Sequence, residues 1–453
     1  MNNEYKLFGT DGIRGKANTG VLTADNLVLF GKAIAKYFLS ESERKHTILI
    51  GKDTRLSGYM IESAIASGIT SMGVNVLYSG PIPTSGVSYL TRSMRVDAGV
   101  MISASHNPYE DNGIKIFSPT GFKLDDNIEN EIEKLFNQPE LLINETENLG
   151  KASRIDDAIG RYVVYLKETI PMDLSLEGLK IGVDCANGAA YQVAKKTFTE
   201  LGIEIMAIGD KPNGKNINNG FGSLYPEVVA NLVKENNLDL GVAFDGDADR
   251  VIFVDEEGTI IDGDNIIAIA AKYYSENKIL KKENVVTTVM SNLGFENFLN
   301  SININLIRAN VGDRYVLEKM IELDSNLGGE QSGHIIFRDL STTGDGILSA
   351  LQIIKILKKS GSSFSKLAKL YTPYPQITNN ISVKSKPELT NIPNLSDMIL
   401  KSEKALGAKG RVLVRYSGTE NKARVMVECE ELADCKKYVK LISDIISIEI
   451  GNG

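Results

Sequence analysis

Cysteine is scarce: only Cys185, Cys429 and Cys435 occur in 453 residues. Their spacing shows no pairing pattern, which argues against a disulfide framework. All three read as structural thiols of a chain kept in a reducing compartment. No run approaches the ~20 apolar residues that a membrane span needs. The opening Met-Asn-Asn-Glu-Tyr-Lys-Leu-Phe-Gly lacks the cationic and apolar segments of a secretory leader. The expectation is a cytoplasmic protein without a membrane partner. An excess of basic charge is missing as well. The formal net charge is -8, which argues against general nucleic-acid binding. An anionic substrate is still allowed, because a few convergent donors recognise a phosphate and screening over about 8 Å mutes distant charge.

What is present points to a layered enzyme. The length predicts several cores, at roughly 150 residues for each. Apolar residues at 42% and charged residues at 24% are globular averages, and 41 glycines exceed the usual ~7%. Many tight loops should follow. Short β-rich runs lead repeatedly into glycine-rich loops and then into helical patterns, the alternation of α/β layers. Thus His46-Thr-Ile-Leu-Ile50 runs into Gly51-Lys-Asp-Thr-Arg55, followed by a helical pattern over Tyr59 to Met72 and a strand over Val74 to Leu77. Three further strands, Asp97 to Ile102, Lys180 to Asp184 and Asp239 to Phe244, each open onto a polar loop. Ligands gather beyond such strand ends. The likeness of Asp97-Ala-Gly-Val to Asp239-Leu-Gly-Val hints at duplicated units. At Leu370-Tyr-Thr-Pro-Tyr-Pro-Gln376 two prolines interrupt a helical pattern that begins near Gly346, and a small terminal domain should follow.

Four segments carry chemistry. In Asp245-Gly-Asp-Ala-Asp-Arg250 three alternating carboxylates follow a buried strand. Two such charges ~4 Å apart repel by about 4 kcal/mol at an effective dielectric of ~20, so a bound cation is the remedy, and oxygen-only ligation selects Mg²⁺ or Ca²⁺ over zinc. The competing reading is a solvated acidic loop; the absence of an EF-hand glutamate and the preceding strand favour magnesium. Arg250 adds a fixed cation. In Ile102-Ser-Ala-Ser-His-Asn-Pro108, followed by Asn112-Gly-Ile-Lys115, a serine, a histidine and a lysine share one loop region. Free serine needs activation, whereas phosphoserine would bring -1.5 to -2 charge to the metal. A plain Asx-capped turn fits the same letters.

Gly328-Gly-Glu-Gln-Ser-Gly-His334 presents Glu330, Ser332 and His334, suited to sugar hydroxyls, although a single histidine is more often structural. Arg415-Tyr-Ser-Gly-Thr-Glu420 leads into Lys422-Ala-Arg424. Its spelling admits a capping box, yet Ala423, Val425 and Val427 alternate like a strand with Arg424, Met426 and Glu428. Hydroxyls, backbone N–H groups around Gly418 and two arginines instead make a phosphate cradle.

Together these loops, with Phe8-Gly-Thr-Asp-Gly-Ile-Arg-Gly15, Gly51-Lys-Asp-Thr-Arg55 and Thr343-Gly-Asp-Gly346, resemble the α-D-phosphohexomutase superfamily nearly end to end. The closest likeness is to its bacterial branch acting on glucosamine phosphate, marked by Gln331 where the mannose and glucose branch usually has methionine. The resemblance implies three αβα sandwich domains with mixed sheets and a smaller α+β C-terminal domain, around a central active-site cleft. The limits would be 1–156, 157–257, 258–371 and 372–453. It implies Ser105 as the phosphoserine, activated by phosphorylation, and one Mg²⁺ held by Asp245, Asp247, Asp249 and the Ser105 phosphate. Arg250, Arg14, His106, Lys115 and His334 would complete the catalytic set, with Lys115 or His334 as proton carrier. Glu330, Ser332 and Asp313 would hold the sugar, and Arg415, Ser417, Gly418, Thr419 and Arg424 the idle phosphate. Tyr416 and Asn421 stand where the family usually has prolines.

The implied reaction interconverts glucosamine 6-phosphate and glucosamine 1-phosphate through a 1,6-bisphosphate, feeding UDP-N-acetylglucosamine and cell-wall precursor synthesis. The partner would be a phosphorylated amino sugar, with no nucleic acid or membrane involved, and the enzyme a monomer or homodimer. The alternatives are mannose or glucose phosphate as substrate, a phosphosugar phosphatase, and a phosphosugar sensor without turnover.

Overall fold

A computed structural model of the chain describes residues 6–9, 11–39, 45–144, 148–417 and 421–452. It divides into two compact units, one of Met1–Val289 with Leu306–Lys369, the other of Met290–Asn305 with Leu370–Gly453.

The first unit contains three mixed sheets. In the first, β1 (Ile13–Lys16), β2 (Thr47–Lys52), β3 (Asn75–Pro81), β4 (Ala98–Ile102), β5 (Asp111–Phe117) and β6 (Ala152–Arg154) lie in the order β1-β5-β4-β2-β3-β6. The second holds β7 (Lys180–Asp184), β8 (Glu204–Ile208), β9 (Leu240–Phe244), β10 (Val251–Asp255) and β11 (Ile260–Ile261) in the order β11-β10-β9-β7-β8. The third places β12 (Asn284–Thr288), β13 (Asn305–Ala309), β14 (Leu327–Gly329) and β15 (Ile335–Phe337) in the order β13-β12-β14-β15. The parallel strands read as continuous apolar runs because both faces are covered: every residue of β4 and of β9 is buried.

One device recurs in all three sheets. A strand that runs parallel to its neighbour turns back into an antiparallel partner, and the connection carries a polar loop. β4 pairs with β5 through Ile102 and Ile114, β9 with β10 through Phe244 and Val251, and β14 with β15 through Gly329 and Ile335. The serine, aspartate and glutamate segments are these connections. The short likeness of Asp97-Ala-Gly-Val to Asp239-Leu-Gly-Val falls on β4 and β9, which hold the same place in their sheets.

Two expectations are corrected. The helix that begins at Gly346 does not run on to the prolines; it ends at Ser360, where Gly361 takes a left-handed φ of 64° and stops it. Cys429 and Cys435 are not separate thiols: they form a disulfide across Cα atoms 6.0 Å apart. Their pairing joins the end of a strand to the first turn of the next helix, a proximity that a six-residue spacing does not announce. Cys185 is free and buried, and burial pushes its thiol pKa upward.

The second unit has an antiparallel sheet of β16 (Gln376–Ser382), β17 (Gly410–Tyr416) and β18 (Lys422–Cys429), with β18 central, against the helix Leu432–Ile450. Ala423, Val425 and Val427 enter its core with Ile442 and Ile446. The helix Leu293–Ser301 belongs to this unit although it lies far back in the chain. Asn292 ties it down, exchanging hydrogen bonds with the backbone of Tyr374 (3.0 and 2.9 Å), and Tyr371 stacks on Phe295 and Phe298. Buried Glu428 accepts from Leu293 N at 2.8 Å and from Arg411 Nε at 2.6 Å. Among the described residues no helix is long and apolar enough to cross a membrane.

Candidate active site

Ser105 sits just past β4 with a φ of +52°, a conformation that costs a non-glycine residue and has to be held. Fully buried Arg55 holds it. Its Nη2 donates to the carbonyls of Ser105 (2.9 Å) and Asn107 (2.8 Å), and its Nη1 donates to those of Asp111 (3.1 Å) and Pro108. Asp53 pairs with Arg55 Nε at 2.8 Å and accepts from Ser103 Oγ at 2.6 Å, and Ser103 Oγ in turn accepts from Ser105 N at 2.9 Å. Asn218 Nδ2 reaches the same two carbonyls of Ser105 and Asn107 at 2.9 and 3.0 Å. Gly51-Lys-Asp-Thr-Arg55 thus supplies the clamp of the serine loop, and Asn218 adds a second one.

The clamped serine faces the hairpin loop after β9. Ser105 Oγ donates to Asp245 Oδ2 at 2.6 Å, and His106 Nδ1 lies 3.4 Å from the same hydroxyl. Only glycine fits at 246, where a Cβ would stand 2.5 Å from the Ser105 carbonyl oxygen. Asp245, Asp247 and Asp249 are buried, with ligand oxygens within 4.8 Å of one another. Burial, then the charges of Asp249 and Asp247, push Asp245 well above the ordinary carboxylate range. Burial also opposes ionisation of Asp249, yet Lys115, His334 and Arg250 hold it well below that range. Oδ1 of Asp247 and Oδ1 of Asp249 have no hydrogen-bond partner among the described residues. Three buried carboxylates with two unsatisfied oxygens fit a hard, oxygen-preferring cation, so the triad is compatible with a metal site.

Cations ring this loop. Lys115 Nζ donates to Asp247 (3.0 Å) and Asp249 (3.1 Å); against burial, Asp11, Asp247 and Asp249 keep its pKa well above the usual value. Arg14 pairs with Asp11 at 2.5 Å and donates to the Ala104 carbonyl at 3.3 Å. Arg250 Nε is buried without a hydrogen-bond partner among the described residues. His106 is driven to a pKa of about 4 by burial, then by Arg250 and Arg14, so its ring is neutral near pH 7. Thr84, absent from the sequence reading, donates to Asp247 Oδ2 at 2.6 Å.

The β14–β15 connection adds the third side. Glu330 accepts from Gly312 N and Ser332 Oγ, both at 3.2 Å, and Gln331 donates to Asp262 at 3.0 Å. His334 lies between Asp249 (3.7 Å from Nδ1) and Asp313 (3.5 Å from Nε2). Burial opposes its protonation, but the nearby Asp249 carboxylate, then the charges of Asp313 and Glu330, raise its pKa overall. Lys123, also missed, joins Asp313 to Asp11 (2.6 Å). Of the sequence-predicted residues, Ser105, His106, Arg14, Lys115, Asp245, Asp247, Asp249, Arg250, Asp313, Glu330, Ser332 and His334 therefore come together in the first unit. In the second unit, Arg415 and Arg424 are cross-strand partners; burial, then Arg424, lower the pKa of Arg415. Ser417 follows β17, its N bonded to the Lys422 carbonyl at 2.8 Å and its own carbonyl accepting from Lys386 Nζ at 2.8 Å. Gly418 and Thr419 lie outside the described residues.

A buried serine set against an acidic triad, on three mixed αβα sheets with a small fourth domain, is the frame of a phosphosugar phosphoryl-transfer enzyme. Consecutive segments match phosphoglucomutase/phosphomannomutase alpha/beta/alpha domain I (residues 5–142), domain II (160–258), domain III (262–374) and the C-terminal domain (379–445). The chain belongs to the phosphoglucomutase/phosphomannomutase family. It is 52% identical over 448 residues to the phosphoglucosamine mutase of Syntrophus aciditrophicus, covering 98% of this chain and 100% of that one. Among solved structures it is similar to a phosphoglucomutase/phosphomannomutase family protein of Burkholderia thailandensis, with a TM-score of 0.81, 23% identity, and 98% and 97% of the two chains covered. It is also similar to Aspergillus fumigatus N-acetylphosphoglucosamine mutase in complex with GlcNAc-6P and magnesium, with a TM-score of 0.66, 19% identity, and 97% and 95% covered.

Proposed function

We propose that this chain is a phosphoglucosamine mutase, an isomerase that interconverts glucosamine 6-phosphate and glucosamine 1-phosphate. The observation that carries the reading is the 2.6 Å contact of Ser105 Oγ with Asp245, made by a serine clamped in a left-handed conformation. Phosphorylated Ser105 gives its phosphoryl group to the free sugar hydroxyl: the bond from phosphorus to Oγ breaks, one to the sugar oxygen forms, the hydroxyl proton passes to Lys115 or His334, whichever stands unprotonated in the substrate complex, and a proton returns to Ser105 Oγ. The resulting 1,6-bisphosphate turns over, and its other phosphate returns to Ser105 by the reverse chemistry. Asp245, Asp247 and Asp249 with the Ser105 phosphate would hold one Mg²⁺, which supplies charge neutralisation at the transferring group. Arg250 and Arg14 share that task, His106 stays neutral beside the serine, and Glu330, Ser332 and Asp313 orient the sugar. Arg415, Ser417, Gly418, Thr419 and Arg424 bind the phosphate that is not reacting, the like-charged pair Arg415 and Arg424 being relieved by an anion.

Domain limits of 1–156, 157–257, 258–371 and 372–453, a cytoplasmic location and a monomeric or homodimeric state belong to the same reading, as does supply of amino-sugar precursors. The test is incubation with glucosamine 6-phosphate, Mg²⁺ and a trace of bisphosphate. The mutase forms 1-phosphate without releasing inorganic phosphate, a phosphatase releases phosphate, and a sensor does neither. Ser105→Ala should abolish turnover with the fold intact; more than a few per cent of residual activity would defeat the serine assignment.

A further inference from the structure

Lys123 has no part in the roles above, yet it is largely buried and its Nζ bridges two carboxylates, Asp11 at 2.6 Å and Asp313. From each of these the contacts continue. Asp11 lies 3.7 Å from Lys115, which donates to Asp249 at 3.1 Å. Asp313 lies 3.5 Å from His334 Nε2, and His334 Nδ1 is 3.7 Å from the same Asp249 oxygen. The six side chains close a ring, Asp249–Lys115–Asp11–Lys123–Asp313–His334, in which every carboxylate stands between two bases. Lys123 occupies the point opposite Asp249.

Arg14 also pairs with Asp11 at 2.5 Å, so the ring leans on Lys123 most at Asp313, whose only other ion-pair partner among the described residues is His334. A cavity of about 160 Å³ adjoins the ring, with Lys123, Asp313 and His334 on its polar side and Leu124, Leu317 and Ile336 on its apolar side. The other cation on its wall, Arg314, is already engaged by Asp126, Glu129 and Glu318. Without Lys123, Asp313 would compete with Asp249 for His334, while Asp11 would fall back on Arg14 and Lys115 and draw Lys115 from Asp249 to a lesser degree.

Building on the proposed mutase reading, we propose that Lys123 is a positioning residue of the transfer site: by satisfying Asp11 and Asp313 it leaves Lys115 and His334 fixed on Asp249. It touches neither serine nor triad, so its effect falls on the chemical step more than on substrate capture.

The test compares wild type with Lys123→Met and Lys123→Arg in the mutase assay, with thermal unfolding as the control of fold. Misplacement on the ångström scale costs up to about a hundredfold in rate. Lys123→Met should therefore lower kcat by about ten- to a hundredfold with KM within about threefold, and Lys123→Arg should recover most of the loss. In a His334→Asn background the same Lys123→Met change should cost clearly less than in wild type, because one of the two groups it positions is gone and only Lys115 is left to move. Retention of more than half of kcat in Lys123→Met, a loss confined to KM, or full additivity with His334→Asn overturns the inference. If Lys123→Met does not fold, Lys123→Gln carries the same comparisons. A wild type that forms no 1-phosphate defeats the mutase reading itself, whereas an active wild type with an indifferent Lys123→Met defeats this inference alone.

Discussion

The imidazole of His334 rests on Gly344: a Cβ placed on that glycine would stand 2.3 Å from Nε2 and 2.4 Å from Cε1. The glycine of Thr343-Gly-Asp-Gly346 is therefore the floor beneath a ring that is 2% exposed and flanked by Asp249 and Asp313. Asp345, next in the chain, accepts from Leu348 N at 2.9 Å and from Tyr162 Oη at 2.5 Å, which fixes the floor at the start of a helix.

Gly344→Ala should push the ring off Asp249. Overpacking of this kind costs about 1–3 kcal/mol, and kcat should fall by about tenfold or more as the imidazole moves. Kinetics and urea unfolding measure the two effects, and a variant within twofold of wild-type kcat would show that the position of His334 is unimportant.

Magnesium should raise the melting temperature of wild type by several degrees at concentrations well above its dissociation constant, since an ion bound only by the folded state stabilises it by mass action. Asp245→Asn should lose most of that shift together with turnover. Scanning calorimetry with EDTA or Mg²⁺ separates the cases, and an unchanged metal response in Asp245→Asn would remove the triad from consideration.

Arg55→Met should be among the most destabilising single changes. It strands buried Asp53 and frees the carbonyls of Ser105 and Asn107; breaking a buried pair costs about 3–5 kcal/mol. Asn218→Ala removes only the second clamp and should leave the fold largely intact while lowering kcat. If Asn218→Ala is as active as wild type, Arg55 alone suffices to hold the serine.

Arg424→Ala should raise KM by about tenfold or more with a smaller effect on kcat, and the gap to wild type should narrow as salt rises, because screening weakens the charge contact that the variant lacks. A pure kcat defect would place this arginine at the reacting phosphate instead.

Lys355 gives a pH test remote from the site. Burial, then Lys359, lower its pKa from 10.5 to about 8. The folded protein therefore binds fewer protons than the unfolded chain between about pH 8 and 10.5, and stability rises with pH across that window. The penalty is fully present below pH 8, so Lys355→Met should raise the melting temperature at pH 7, with the gain fading as pH approaches 10.5. Equal melting temperatures at pH 7 would contradict the lowered pKa.

Legibility in the sequence followed locality. The serine loop and the triad each lie within one contiguous segment after an apolar strand, Asp97 to Ile102 and Asp239 to Phe244, which announced the first two sheets, whereas the glutamate loop is legible only in its own letters because the strand before it is the short Leu327–Gly329. The groups that steady these loops left no comparable sign. Thr84 meets Asp247 across 163 positions, and Lys123 meets Asp313 across 190, distances over which no periodicity or spacing rule operates. Arg55 lay inside a quoted motif, but its use as a backbone clamp depends on the left-handed turn at Ser105, which serine does not advertise. Gly361 stops its helix well before the prolines, which are the stronger punctuation in the sequence.

The helix Leu293–Ser301 has a bearing on biosynthesis. It emerges from the ribosome long before the strands that complete its neighbourhood, so Tyr371, Tyr374 and Glu428 are not yet made when its own turns can first form. The nascent chain must carry that segment unfinished through most of the third sheet. A protein cut after Lys369 would keep the helix but lose Tyr371, Tyr374 and Glu428, leaving Phe295 and Phe298 without the ring that stacks on them.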